Sequence, residues 1–566
     1  MKEEPKSYEH VFPNIEDWPI YKLSEDRRNF VREIDGFTLE RFMRNPSPQL
    51  TDIISKTIYL ERIRMKEEPW KVDPPNERQF WRKIRTKLVG QSLDRSEEEA
   101  RKTNEEILRK IIHRYSEEIV GTFRIGTFLF ARRFLTIFFT RLLNTAASRN
   151  WQRILGSKHR LADRLLVKGK VEEVRSLIKK GTVVIVPTHF SNLDSILIGY
   201  ALDAFVGLPS FSYGAGLNLY NTGYTAYFMN RLGAYRVDRR KKNPIYLETL
   251  KAMSNLSIQR GVNSLFFPGG TRSRSGSLEK KLKLGLMSTI LEAQRALCQK
   301  EENTKIFIVP LILSYHFVLE GQFLIEQHLK QIGKERYIRS KDDFHSIRRQ
   351  LRYAWQFFSE SNDITLSFGQ PLDVLGNPVD IHGNSYDQHG NEIRIEEYFM
   401  SDGKVTEDLQ RESEYTKMLG SRIVERYYKD NIVLTSHLVA FAAFEILKNQ
   451  NSRLDLYGIL RLPADDFVFT REAMREVVGQ LKSRLIEMSR KDEVKLSEQI
   501  LWGVDELIRD GVSRLGTYHL AKPLRFRKDG EIVSESFKLL YFYHNRLDNY
   551  GLEQAIRWKK YILEMA

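Results

Sequence analysis

Apolar positions along the chain change their period from region to region. From residue 1 to about 118, isolated apolar residues recur at helical spacing among mixed charges, as in "EEEARKTNEEILRKIIHRYSEEIV". That spacing predicts helices joined by proline-containing connections. The stretch "FRIGTFLFARRFLTIFFTRLL", Phe123 to Leu143, is rich in Phe and Leu and is interrupted by Arg124, Arg132, Arg133 and Arg141. It fits two placements equally. One is a helix in a membrane interface, with guanidinium groups at the headgroups. The other is a core helix whose arginines pair with acids.

From about residue 155, short runs rich in β-branched and aromatic residues alternate with helical patterns. "TVVIVPTH", "GAYRVDR", "VNSLFFPGG", "KIFIVPLILSY" and "ITLSFGQPL" read as strands. "SILIGYALDAF", "IYLETLKAMSNLSIQRG" and "KLGLMSTILEAQRALCQK" read as the helices between them. The alternation predicts an α/β class. A period-seven repeat follows, Asp-x-x-Gly-Asn at Asp373, Asp380 and Asp387. Gly and Asn accept positive φ, so successive tight turns account for it. It lacks the ligand set of a calcium loop. Beyond residue 400 the pattern is mostly helical, with a hairpin expected at Asp529-Gly530 in "KPLRFRKDGEIV".

The chain thus divides into a helical N-terminal region (1–150) with a candidate membrane-interface helix at 123–143, an α/β domain (151–372), a turn or hairpin insertion (373–400) and a mostly helical C-terminal accessory domain (401–566).

At 566 residues, the chain is long enough for several folding units. Its formal net charge of +16 favours anionic partners: nucleic acid, an acidic lipid surface or a phosphorylated substrate. No nucleic-acid-binding motif accompanies the charge. The one cysteine, Cys298, cannot pair internally, which fits a reducing compartment, and its helical context suits a buried residue. The charged N-terminus has no apolar core, so no signal peptide is expected. No run of about 18 apolar residues predicts a spanning helix. No zinc spacing, Walker loop or dinucleotide fingerprint occurs, so neither metal nor bound cofactor is expected.

Candidate chemistry gathers at the strand ends. In "VVIVPTHFSNLDSILIGYAL", Pro187 ends a buried strand, and Ser191 or Asn192 is available to cap the next helix. His189 then lies at the carboxyl edge of the sheet, where open α/β proteins bind ligands. Asp194, in the first helical turn, can fix the imidazole tautomer and leave the other nitrogen to accept a proton. Alone, such a pair fits a loop tie equally well. Two basic loops at other strand ends shift the balance. "LGAYRVDRRKK" carries Arg236 and Arg239, followed by Arg240, Lys241 and Lys242. "FFPGGTRSRSG" carries Gly269 and Gly270, then Arg272 and Arg274. Glycines permit close backbone approach, and arginines offer bidentate donors to phosphate. A third run, "IVPLI", contains Pro310, where its strand is expected to end.

Taken in order, "THFSNLD", "GAYRVDR", "FPGGTRSRSG" and "IVPLI" resemble the four motif blocks of the glycerolipid acyltransferase family, over about residues 183–315. The resemblance implies a mixed sheet flanked by helices and acyl transfer from a thioester to a glycerol phosphate. It implies His189 as general base and Asp194 as its orienting partner. Acceptor phosphate binding falls to Arg236, Arg272 and Arg274 with Lys283, and oxyanion stabilisation to the backbone of Gly269, Gly270 and Thr271. The fourth motif, with Val309 and Pro310, would shape the acyl side. Many members carry a glutamate just before the glycine of the third motif; this chain has Gly269 there. An inactive membrane-bound homologue therefore stands as a competing reading.

"YGAGLNLYNTGYTAYFMNRLGAYRVDR" and "LLYFYHNRLDNYGLE" resemble stretches of the bacterial membrane glycerol-3-phosphate acyltransferase and dihydroxyacetone-phosphate acyltransferase branch. This branch implies glycerol 3-phosphate as acceptor, with dihydroxyacetone phosphate and lysophosphatidate as alternatives. It implies acyl-CoA or acyl-carrier protein as co-substrate and an anionic membrane surface as partner. The implied location is the cytoplasmic side of a membrane, the bacterial inner membrane.

Overall fold

A computed structural model of the chain describes residues 7–70, 72–90, 96–144, 164–220, 223–302, 304–333, 363–463 and 467–558. Its central sheet is built from β1 (Leu165–Gly169), β2 (Gly181–Pro187), β3 (Ser212–Gly216), β4 (Ala234–Val237), β5 (Ser264–Leu265), β6 (Lys305–Tyr315) and β7 (Ile364–Phe368). They lie in the order β1-β7-β6-β2-β5-β3-β4. Pairing is parallel from β6 through β2, β5 and β3 to β4. The β6–β7 ladder is antiparallel, so the sheet is mixed. The parallel strands direct their carboxyl ends to one edge, and the chemistry-bearing loops emerge there.

The expected strands are all present, and two others were not anticipated. β1 is short and half-exposed. β3 is "SYGAG", whose glycines have low strand propensity; it forms because β4 and β5 pair with it on either side. β6 also departs from expectation, running through Pro310 to Tyr315 instead of ending at the proline. Ile308 exchanges hydrogen bonds with Leu372, and the β7 ladder begins at Leu311. Pro310 sits between them and needs no N–H on that side, while its carbonyl accepts from Gly369.

The N-terminal helices lie against the sheet layer. Phe30, Ile34, Trp81, Ile107, Ile111 and Tyr115 share one buried cluster with Tyr246 and Met253 of the helix Pro244–Gln259. Helix Ile125–Asn144 packs on helix Asp194–Ala204, with Phe139 against Tyr200. Arg132 donates twice to Asp203 at 2.6 and 2.5 Å, so this arginine pairs with an acid. Leu129, Phe130, Phe134 and Ile137 on the same helix are instead 44–60% exposed, with Arg133 exposed beside them. The Arg141 side chain lies outside the described set. Among the described residues, no helix is long and apolar enough to cross a membrane.

The Asp-x-x-Gly-Asn units form three copies of one turn. Each aspartate Oδ1 accepts backbone N–H groups two and four residues on, at 2.8–2.9 Å. Gly376, Gly383 and Gly390 take φ of 84–88°. The carboxylates are thereby spent on their own backbone.

Candidate active site

Strand β2 ends at Pro187, and the loop after it carries the candidate base. His189 Nδ1 lies 2.8 Å from Oδ2 of Asp194. The same oxygen accepts the backbone N–H groups of Phe190 and Ser191, at 2.6 and 2.9 Å. Oδ1 accepts the Tyr315 hydroxyl at 2.6 Å. Asp194 is fully buried and the imidazole is 15% exposed. A carboxylate surrounded by four donors acts as acceptor only, so the shared proton sits on Nδ1 and Nε2 presents a lone pair. Nε2 has no partner among the described residues. The ring is stacked on Phe267 at 4.0 Å, which fixes its plane.

Neither expected cap serves the helix that Asp194 begins. Ser191 Oγ donates to Glu320, and Asn192 N–H donates to the other Glu320 oxygen. Asp194 itself turns back to take the loop's N–H groups.

The loop after β5 is stitched to this one. Ser273 N–H donates to the His189 carbonyl at 2.7 Å, and His189 N–H donates to Glu279 Oε1 at 3.1 Å. Gly270 has φ of 75° and its N–H donates to Phe267, so that amide is committed to the turn and is not an oxyanion donor. Gly269 and Thr271 N–H groups have no acceptor among the described residues and are the loop's available donors. Lys283 folds across Gly270: a Cβ there would lie 2.7 Å from the ammonium nitrogen.

The basic residues separate into two groups. Arg236 donates to the Val72 carbonyl and lies over the Tyr220 ring. Arg240 is held by Asp73 and Asp238, and Lys241 is buried against Glu118. These three tie the second motif strand and loop to the N-terminal region, at the 72–73 connection and at Glu118 of the helix Glu97–Ile119. Arg272 reaches Glu320 at 3.3 Å, joining the first and third motif loops. Arg239 has no acidic partner among the described residues. Partial desolvation and the nearby Arg272 charge hold its pKa below the ordinary value. Two guanidinium groups that feel each other's charge, one of them without an acidic partner among the described residues, are what a bound dianion would stabilise. Arg274 lies near His328, whose pKa is lowered by burial and then by that arginine. Val309 and Pro310 are buried within β6.

Sequence reasoning placed Arg239 at the strand end without selecting it, since nothing local distinguishes it from Arg236. It missed Glu279, Glu320, Tyr315 and Arg546 as parts of the site. Arg546 lies in "YFYHNRLDNY", far down the chain, yet its guanidinium sits 4.3 Å over the Phe190 ring. It donates to the Leu313 carbonyl at 2.6 Å and to Asn431 Oδ1 at 2.9 Å. Asn545 donates to the Ser275 carbonyl, and the Tyr543 hydroxyl accepts from Val318 N–H. The C-terminal segment therefore buttresses the motif loops directly. Burial pushes the Glu279 carboxyl up to about 7 and brings Arg546 down to about 10.

Asn218 and Leu219 of the stretch preceding the second motif have side chains outside the described set, as do residues 221 and 222. Among the described residues, no group of His, Cys, Asp and Glu could hold a metal ion.

Residues 168–314 match the family model described as Acyltransferase. The chain is similar to a glycerol-3-phosphate acyltransferase of Hamiltonella defensa, 29% identical over 36% of this chain and 23% of the relative. The protein of that name from Alteromonas mediterranea is 24% identical over 49% of this chain and 30% of the relative. Its counterpart from Aeromonas hydrophila is 30% identical over 36% and 23%. The match thus spans less than a third of the length of these curated relatives. The residues that match the Acyltransferase model hold the His189–Asp194 pair and both basic loops.

Proposed function

We propose that this chain transfers a fatty acyl group from acyl-CoA or acyl-carrier protein to the 1-hydroxyl of glycerol 3-phosphate, giving lysophosphatidate. One observation carries the reading: the unpartnered Nε2 of a carboxylate-oriented histidine shares a sheet edge with the Arg239–Arg272 pair. A base without an anion site would suit any hydrolase, and an anion site without a base would suit a binding protein. The relatives' names supply the acceptor.

In this mechanism, Arg239 and Arg272 hold the phosphate, with Lys283 closing over it. His189 Nε2 takes the proton of the 1-hydroxyl as its oxygen attacks the thioester carbonyl. The tetrahedral oxyanion is met by the Gly269 and Thr271 amides. Collapse breaks the C–S bond, and the leaving thiolate takes the proton back from Nε2. No enzyme nucleophile is required, and Cys298 does not offer one: burial raises its thiol pKa. Asp194 holds the tautomer and balances the imidazolium.

We place the chain at the cytoplasmic face of a membrane; the exposed Leu129, Phe130, Phe134 and Ile137 stripe supports the membrane contact, without bearing on its side. The stripe lies on the helix packed behind Asp194–Ala204 and suits insertion among acyl chains, with Arg133 at headgroup level.

Purified protein given labelled palmitoyl-CoA and a panel of acceptors tests the reading. Labelled lysophosphatidate from glycerol 3-phosphate is expected. Transfer only to lysophosphatidate or dihydroxyacetone phosphate would reassign the acceptor. No transfer from either donor type to any acceptor would favour the inactive homologue.

A further inference from the structure

The third motif loop lacks the carboxylate that many family members carry just before its glycine, and Gly269 stands in that place. We propose that Glu279 supplies this carboxylate from ten residues downstream, as the positioning residue that holds His189. The inference rests on the acyl-transfer reading above and concerns how this chain meets its requirements.

The geometry is specific. A Cβ built on Gly269 would lie 3.1 Å from both Cγ and Oε1 of Glu279, and 3.6 Å from its carboxyl carbon. The Glu279 side chain therefore fills the space in which a side chain at 269 would begin. Gly269 and Glu279 are alternatives for one volume: the glycine leaves room and the glutamate occupies it. Such contacts are tighter than nine in ten that real Cβ atoms make, so a side chain at 269 requires Glu279 to give way by a few tenths of an ångström.

The carboxylate is connected to the base. Its Oε1 accepts the His189 backbone N–H at 3.1 Å. That bond, with Ser273 N–H on the His189 carbonyl, grips the residue from both sides of its backbone. Lys283 N–H donates to the Pro268 carbonyl at 2.8 Å, which lays the 279–283 segment along the glycine loop. Glu279 Oε2 is enclosed and has no hydrogen-bond partner among the described residues. An enclosed, unpartnered carboxylate oxygen is costly for the fold and calls for an explanation. Its charge acts on His189, and the Arg546 guanidinium lies within its field. When His189 takes the hydroxyl proton, the imidazolium faces Asp194 at Nδ1 and Glu279 below its backbone, and both stabilise it.

The arrangement permits a relocation test. Gly269 is not in the left-handed region, so its backbone accepts glutamate once Glu279 is shortened. Four proteins are compared by kcat, acceptor KM and melting temperature: wild type, Glu279→Ala, Gly269→Glu, and the double variant Gly269→Glu/Glu279→Ala. Glu279→Ala is expected to lower kcat at least about tenfold with acceptor KM within about twofold. The double variant is expected to return to within about threefold of wild-type kcat. Gly269→Glu alone is expected to be impaired, because two carboxylates meet in one space. Glu279→Gln keeps shape and fold if alanine does not; it is expected to lower kcat at least about fivefold at unchanged acceptor KM.

Wild-type kcat in Glu279→Gln overturns the proposal. So does a folded double variant no more active than Glu279→Ala. A wild-type protein silent with every donor and acceptor is a different result: it overturns the acyl-transfer reading itself, and this inference with it.

Discussion

His189 Nδ1 and Asp194 Oδ2 are joined at 2.8 Å, and the Tyr315 hydroxyl holds the other Asp194 oxygen at 2.6 Å. The five-residue spacing brings pair and loop together, while Tyr315 arrives from the far end of β6. Asp194 thus has two tasks, orienting an imidazole and satisfying a loop's N–H groups, and substitutions separate them.

His189→Ala removes the base without removing a structural acceptor. Activity is expected to fall roughly 100- to 10,000-fold with an unchanged melting temperature. Asp194→Asn should cost comparable activity and also about 1–3 kcal/mol of stability, because an amide cannot accept from all four donors. Steady-state kinetics beside thermal melts of both variants check the distinction.

Arg239→Ala and Arg272→Ala should raise KM for the phosphorylated acceptor while leaving the thioester KM unaltered. Losing a charge-assisted contact of about 1.5–3 kcal/mol predicts roughly 10- to 100-fold. Arg240→Ala should instead lower the melting temperature, since its guanidinium bridges Asp73 and Asp238. Equal kinetic effects in all three variants would sink the division between substrate and structural arginines.

Arg546→Met keeps the bulk over Phe190 but strands the Leu313 carbonyl and Asn431 Oδ1. Stability is expected to fall by about 1–3 kcal/mol. Denaturant titration measures this, and an unchanged midpoint would show that the C-terminal segment does not brace the motif loops.

Stability should decline in mild acid. Burial lowers the pKa values of His316 and His519 to about 3, and lowers that of His437 as well. For groups with a depressed folded-state pKa, the unfolded chain binds protons first. Their contribution is intact above the ordinary histidine value of about 6.5 and is lost as pH falls toward 3. The melting temperature should drop across that window, and His519→Gln should flatten the drop. A flat profile in the wild type from pH 7 to 4 would refute the account.

Phe130→Glu/Phe134→Glu places two charges in the exposed stripe without touching the Arg132–Asp203 pair. Co-sedimentation with vesicles rich in anionic lipid is expected to be lost, with thermal stability retained. Undiminished binding would move the membrane contact elsewhere.

Local pattern was enough for the elements whose cause is local. β2, β6 and the helices between strands are long apolar runs with turn signals, and the Asp-x-x-Gly-Asn turns follow from side chains that bond their own backbone. The His189–Asp194 pair was visible because five residues separate its members. Tertiary structure decided what depends on distant neighbours. β3 forms from a glycine-rich stretch because two strands flank it, and β6 passes through Pro310 because no donor is needed there. The basic run after β4 offered Arg236 to a phosphate, but Asp73 and Asp238 neutralise Arg240, Glu118 neutralises Lys241, Arg236 turns to the Val72 carbonyl, and Arg239 is left without an acidic partner among the described residues. Arg546, more than 350 residues after His189, braces the base's loop, and Glu279 fills the space Gly269 leaves open. Charge and hydrogen-bonding capacity are written in each residue, but their availability to a substrate depends on which partners the fold supplies.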